Sequence, residues 1–254
     1  MAERLYVLRG GCITMPKRWV RVGGSDEPMT IPVLAFLVVA GDRLVLIDSG
    51  CSPVVTEDPD KAWGSLTSLY HPHIGPDDLI DAQIRRAGFE VGDVTDVVLT
   101  HLHFDHAGGL RMLDHPRVWV QRAEHRWGGC PDGHAAGGYF KQEYDLPGLD
   151  LQLLDGDATI ADGVQCVLTA GHTPGHQSVL VRLPSGLVCV VGDAAYNRQM
   201  LDRRSLPAVA WDVSRYMSAL TRLSTLETFF GAQLLFSHDP AQVDDLPEGS
   251  DFLN

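Results

Sequence analysis

The sequence predicts an α/β fold in which two β-sheets pack face to face with helices outside. Three observations predict it. Strand-like runs occur in both halves of the 254-residue chain. Several of these runs are continuously apolar, as strands buried on both faces are. Two stretches with helical periodicity are set among them.

The elements follow in chain order. Val33–Ala40 and Arg43–Ile47 are rich in Val, Leu and Ile, and Gly41-Asp42 between them reads as a hairpin turn. Pro76–Ala87 is expected to be helical, with Pro76 in the first turn and Gly88 just past the end. Val97–Leu99 and Val118–Val120 follow as short strands. Val164–Leu168, Ser178–Arg182, Leu187–Val191 and Leu234–Phe236 complete the set, and Pro184-Ser185-Gly186 is a second hairpin turn. Asp212–Phe230 is the second helix, with Val213, Tyr216, Met217, Leu220, Leu223 and Leu226 recurring at helical spacing. Two segments, Ser52–Gly75 and Arg122–Leu149, fit no element. They read as irregular, either binding loops or surface insertions. No internal repeat or low-complexity linker divides the chain, so residues 1–254 are expected to form a single domain.

Composition narrows the function classes. There are 33 acidic and 20 Lys or Arg residues, a formal net charge of -13. Nucleic-acid binders usually present a basic face, so no nucleic-acid partner is expected. Anionic membrane surfaces are disfavoured for the same reason. Cys12, Cys51, Cys130, Cys166 and Cys189 are scattered and form no CxxC pair, so they are expected to be reduced and structural. Met1-Ala2-Glu3-Arg4-Leu5 does not open a signal-peptide pattern, and the longest apolar stretch, near Pro32–Ala40, is too short to span a bilayer. The expected location is the cytoplasm.

The strongest chemical signal is His101-Leu102-His103-Phe104-Asp105-His106, which leaves the end of the apolar run Val97-Val98-Leu99-Thr100. Alternation places His101 and His103 close enough to share an ion, and the next turn offers Asp105 and His106 to a second. Imidazole and carboxylate suit zinc, iron, manganese and cobalt.

This run resembles the HxHxDH signature of the metallo-β-lactamase superfamily, and the resemblance extends over nearly the whole chain. Asp48-Ser49-Gly50, Gly171-His172-Thr173-Pro174-Gly175-His176, Gly192-Asp193-Ala194 and Ser237-His238-Asp239 look like its other elements, in the family's order, each after a predicted strand. The resemblance implies a four-layer αββα sandwich with two metals at one edge of the sheets. By it, His101, His103 and His172 would hold the first divalent ion, and Asp105, His106 and His238 the second. Asp193 would bridge both. Asp48 is expected to orient ligands or cap its turn, and His176 to support or pack. His71, His73, His115, His125 and His134 are expected at the surface.

Finer features point to one branch. Thr100–Gly109 and His172–Ser178 closely resemble the N-acyl homoserine lactonases, and Tyr196 stands three residues beyond Asp193. In that branch such a tyrosine reaches the substrate carbonyl. The resemblance therefore implies a dinuclear-metal, quorum-quenching hydrolase that opens a lactone ring by attack of a metal-bridging hydroxide. Tyr196 would stabilise the oxyanion and Asp105 would pass a proton to the leaving oxygen. Zinc is the first choice of metal. Phe104, Trp63 and the aromatic residues of Arg122–Leu149 are candidates for an acyl groove. The alternatives are a pyridoxolactone-type lactonase, a glyoxalase II-like thioesterase and a non-enzymatic metal-binding module. The expected partner is a small-molecule lactone, and the oligomeric state is left open, a homodimer included.

Overall fold

A computed structural model describes the chain except residues 115, 134 and 135. The first sheet holds β1 (Arg4–Pro16), β2 (Pro28–Ala40), β3 (Arg43–Ile47), β4 (His71–His73), β5 (Asp96–Val98), β6 (Arg117–Gln121) and β7 (Asp150–Leu154). Its seven strands run in the order β4-β1-β2-β3-β5-β6-β7. The second sheet holds β8 (Ala158–Ala161), β9 (Val164–Leu168), β10 (Gln177–Leu183), β11 (Gly186–Val190) and β12 (Gln233–Leu235), in the order β12-β11-β10-β9-β8.

The apolar runs explain the layering. Side chains alternate across a strand. In β2, Leu34, Phe36 and Val38 face the second sheet and pack against residues such as Val179, Val181 and Val190. The alternate set, Ala35, Leu37 and Val39, faces outward to Ile80 and Ile84 of the helix Ile80–Arg86. On the far side, Cys189 and Leu234 pack against Tyr216, Leu220 and Leu223 of the helix Val213–Phe230. Helix, sheet, sheet and helix stack in that order, which is the expected αββα sandwich. The Val213–Phe230 helix is fixed at both ends: the Asp212 carboxylate accepts from the Arg215 N–H at 2.9 Å, and Gly231 ends it in the left-handed region at φ 67.

The differences from expectation have local causes. The segment expected as one helix, Pro76–Ala87, is a 3-10 turn at Pro76–Asp78 followed by the α-helix Ile80–Arg86. The Asp78 carboxylate accepts the Gly75 N–H at 2.8 Å and closes the first turn, and Leu79 is extended between the two. β1, β4, β7 and β8 were not expected. β1 carries Gly10-Gly11 and a register shift between Arg9 and Cys12, which break the alternation that marks a strand. Ser52–Gly75 is not irregular: it holds the short helices Val54–Glu57 and Pro59–Trp63, a 3-10 turn at Gly64–Ser68, and β4. Arg122–Leu149 likewise carries helices at Arg122–Gly129 and Lys141–Tyr144. Helices this short show too little of their period to be read.

All five cysteines are free. Among the described residues, no helix is long and apolar enough to cross a membrane.

Candidate metal centre

Five loops meet at one edge of the sandwich, each leaving the carboxyl end of a strand. β3 leads into Asp48, β5 into His101–His106, β9 into His172, β11 into Asp193 and β12 into His238. β3 and β5 run parallel, as do β11 and β12, so their outgoing loops share an edge. Side chains far apart in sequence thereby converge.

They form two groups of donors that could each hold a cation: His101, His103, His172 and Asp193 in one, Asp105, His106 and His238 in the other. Asp193 faces both. Its Oδ2 lies 3.3 Å from His172 Nε2 and 3.7 Å from His101 Nε2, and its Oδ1 lies 3.3 Å from His106 Nε2 and 3.1 Å from His238 Nε2. Asp105 Oδ2 is 3.6 Å from His238 Nε2 and 3.8 Å from His106 Nε2. The seven positions singled out in the sequence are thus brought together.

Hydrogen bonds set which imidazole nitrogens are left as lone pairs. His106 Nδ1–H donates to Asp48 Oδ2 at 2.8 Å, His238 Nδ1–H to the Pro32 carbonyl at 2.7 Å, and His172 Nδ1–H to the Val209 carbonyl at 3.0 Å. Carboxylates and carbonyls only accept, so in each neutral ring Nε2 carries the lone pair. His106 Nε2 and His238 Nε2 nonetheless stand 3.2 Å apart. Facing lone pairs repel unless positive charge lies between them. His101 Nε2 and Asp193 Oδ1 are buried with no hydrogen-bond partner among the described residues. The donor set therefore fits divalent cations.

The electrostatics agree. Burial, reinforced by the neighbouring imidazoles His106 and His103, pushes His101 well below the usual histidine range. Burial also opposes charge on His106, yet Asp193, Asp105 and Asp48 together hold its pKa well above the usual value. The pocket rejects protons on one side and calls for positive charge on the other.

The centre opens into a cavity of about 270 Å³ lined by His103, Asp105, Asp193 and His238 at one end and by Met15, Trp19, Ile31 and Leu66 elsewhere. Tyr196 also lines it, with ring centroids 5.7 Å from His172 and 5.5 Å from His238. Burial and the nearby Asp193 charge raise its phenol well above the usual value, so it keeps its proton and can donate.

The pattern of the metallo-β-lactamase superfamily matches residues 29–230. The chain belongs to the metallo-β-lactamase superfamily. Within it, the chain is 34% identical over 245 residues to the N-acyl homoserine lactonase AttM of Azorhizobium caulinodans, covering 93% of each protein. It is 28% identical to an N-acyl homoserine lactonase of Bacillus cereus, covering 84% of each. Its fold superposes with a TM-score of 0.89 on an N-acyl homoserine lactone hydrolase solved with N-hexanoyl-L-homoserine at its catalytic metal center, at 24% identity over 100% of both chains.

The superfamily elements come with supports that the motifs only partly announce. Asp48 sits at φ 60, a left-handed conformation costly for a residue with a Cβ. Its carboxylate accepts from the Thr100 N–H at 2.7 Å, the Thr100 hydroxyl at 2.9 Å and His106, so it orients one donor directly, and the Thr100 hydroxyl in turn meets His101 Nδ1 at 3.1 Å. His176 accepts the Asp193 N–H on Nε2 at 2.8 Å and meets Thr169 Oγ1 through Nδ1 at 2.9 Å. Burial pushes it to about 3, so it stays neutral and steadies the aspartate rather than joining the donors.

Sequence reasoning missed Glu124. It is fully buried, and its carboxylate accepts from the Leu102 N–H at 3.1 Å, the Gly175 N–H at 3.1 Å and the Tyr139 hydroxyl at 2.8 Å. One side chain thus joins the His101–His103 loop, the His172–His176 loop and the segment after the Arg122–Gly129 helix. Tyr139 in turn stacks edge-on against His103 with centroids 4.7 Å apart. A glutamate on an eight-residue helix gives no sequence signal for this. The acyl-groove candidates need correction. Phe104 lines the cavity, but Trp63 packs behind it at 4.8 Å, and the Arg122–Leu149 segment lines the cavity through Gly133, Gly137 and Gly138 rather than through aromatic rings. A Cβ at Gly138 would strike the His103 ring, so the backbone itself forms that wall. His71 and His73 are exposed and His125 is half-buried, while His115 and His134 lie outside the described residues.

Proposed function

We propose that the chain opens the lactone ring of N-acyl homoserine lactones, using two divalent ions, zinc by preference, to yield N-acyl homoserine. The observation that carries this reading is the pair of donor groups opening onto one largely apolar cavity that Tyr196 also lines. The lactonases among its relatives support the choice of substrate. We read His101, His103 and His172 as holding the first ion, Asp105, His106 and His238 the second, and Asp193 as shared.

When bound, the ions supply Lewis acidity and lower the pKa of water from about 15.7 toward about 7, so that hydroxide is at hand at neutral pH. The protein's own groups do the rest. The Tyr196 hydroxyl donates to the lactone carbonyl oxygen as negative charge develops on it. Asp105, the more exposed of the two carboxylates at 12% against 5% for Asp193, takes the proton of the hydroxyl added to the carbonyl carbon and passes it to the ring oxygen as the ring C–O bond breaks, leaving a carboxylate and an alcohol. Met15, Trp19, Ile31 and Leu66 take the acyl chain and exclude water from it.

A substrate panel tests the assignment. One equivalent of acid is expected from N-acyl homoserine lactones, with loss of activity on chelation and recovery with zinc. Faster turnover of a pyridoxolactone or a glutathione thioester would reassign the enzyme. Tyr196→Phe is expected to lower kcat by roughly 100-fold, the lower end of what a lost oxyanion donor costs, with metal content unchanged by mass spectrometry. An unchanged rate would remove Tyr196 from the reaction.

A further inference from the structure

Tyr196 is not the only phenol in the cavity. Tyr70, from the segment between the Gly64–Ser68 turn and β4, lines it as well. Its ring centroid lies 6.0 Å from that of Phe104, the residue before Asp105. It packs against the apolar cluster that holds Phe104 and Met15, with Trp19 and Leu66 packed on the same cluster. Tyr70 therefore stands at the junction between the metal-ligand end and the apolar end. Burial pushes its phenol up to about 12, with the Asp105 charge adding, so it stays protonated and able to donate. Among the described residues its hydroxyl is engaged in no hydrogen bond, and Tyr70 lines the cavity, so the donor is free for a bound molecule.

An N-acyl homoserine lactone carries its amide on the carbon next to the lactone carbonyl. With the ring at the metal ligands and the tail against Trp19 and Leu66, the amide falls at the junction. We propose that Tyr70 determines specificity by donating its hydroxyl to the amide carbonyl oxygen of the substrate. The proposal rests on the lactonase reading above. It assigns to the Ser52–Gly75 segment the recognition of an acylated amine, as distinct from a lactone as such.

The test compares zinc-loaded wild-type enzyme and Tyr70→Phe on two substrates, N-octanoyl homoserine lactone and a γ-lactone bearing an alkyl chain but no amide. Phenylalanine keeps the ring against Phe104, so folding and metal content are retained. KM for the acyl homoserine lactone is expected to rise about five- to tenfold with kcat within about twofold, the loss of one hydrogen bond made equally in ground and transition states. Both constants for the alkyl lactone stay unchanged. A parallel shift with both substrates, or with neither, overturns the role of Tyr70 and leaves lactone opening standing. Wild-type enzyme that opens neither substrate overturns the lactonase reading and this proposal with it.

Discussion

Replacing His106 with alanine is expected to remove one of two bound metal equivalents and to lower kcat/KM by at least about 10³-fold, the several kcal/mol that a metal supplies to such a reaction. His106 is the most heavily tied of the donors. Its Nδ1 is held by Asp48, and its Nε2 lies within 3.3 Å of both Asp193 and His238. Alanine would leave Asp48 buried with one partner fewer and leave the second group with only Asp105 and His238. The first group keeps all its donors, so one equivalent should remain by mass spectrometry. Full activity with one ion per chain would show that the two-ion account is wrong.

Removing the metals altogether is expected to cost stability as well as activity. Any ligand that binds only the folded state stabilises it, by about 4 kcal/mol when present at a thousand times its dissociation constant. In a protein of this size that corresponds to a fall in Tm of roughly 10 °C on chelation. The cause is local. The sandwich core is complete without the site, but the loops at its edge bring the Nε2 lone pairs of His106 and His238 to 3.2 Å of one another. Thermal unfolding followed by circular dichroism, with and without chelator at pH 7, measures the difference. Identical curves would mean that the loops are held by their own hydrogen bonds alone.

How far the sequence could be read follows from how each feature is encoded. β2, β3 and β11 were legible because strands buried on both faces need unbroken apolar runs. The Val213–Phe230 helix was legible because eighteen residues repeat its period often enough to see. The donors were legible because metal ligation demands particular side chains at short spacing. Glu124, Tyr70 and Gly138 were not. Their roles depend on which loops happen to meet, and nothing adjacent in the chain records that. The glycines at 133, 137 and 138 were opaque for a further reason: they contribute backbone, and the absence of a side chain leaves no chemical mark.

Glu124 carries an implication for how such an enzyme can diverge. Because one carboxylate is shared by both histidine-bearing loops and by Tyr139, that flank of the cavity cannot be remodelled without loosening the grip on the ions. The lining residues Leu66, Leu69 and Tyr70 have no such side-chain tie to the donor loops among the described residues. New substrate preferences should therefore arise there, where mutations reshape the lining and spare the reactive centre.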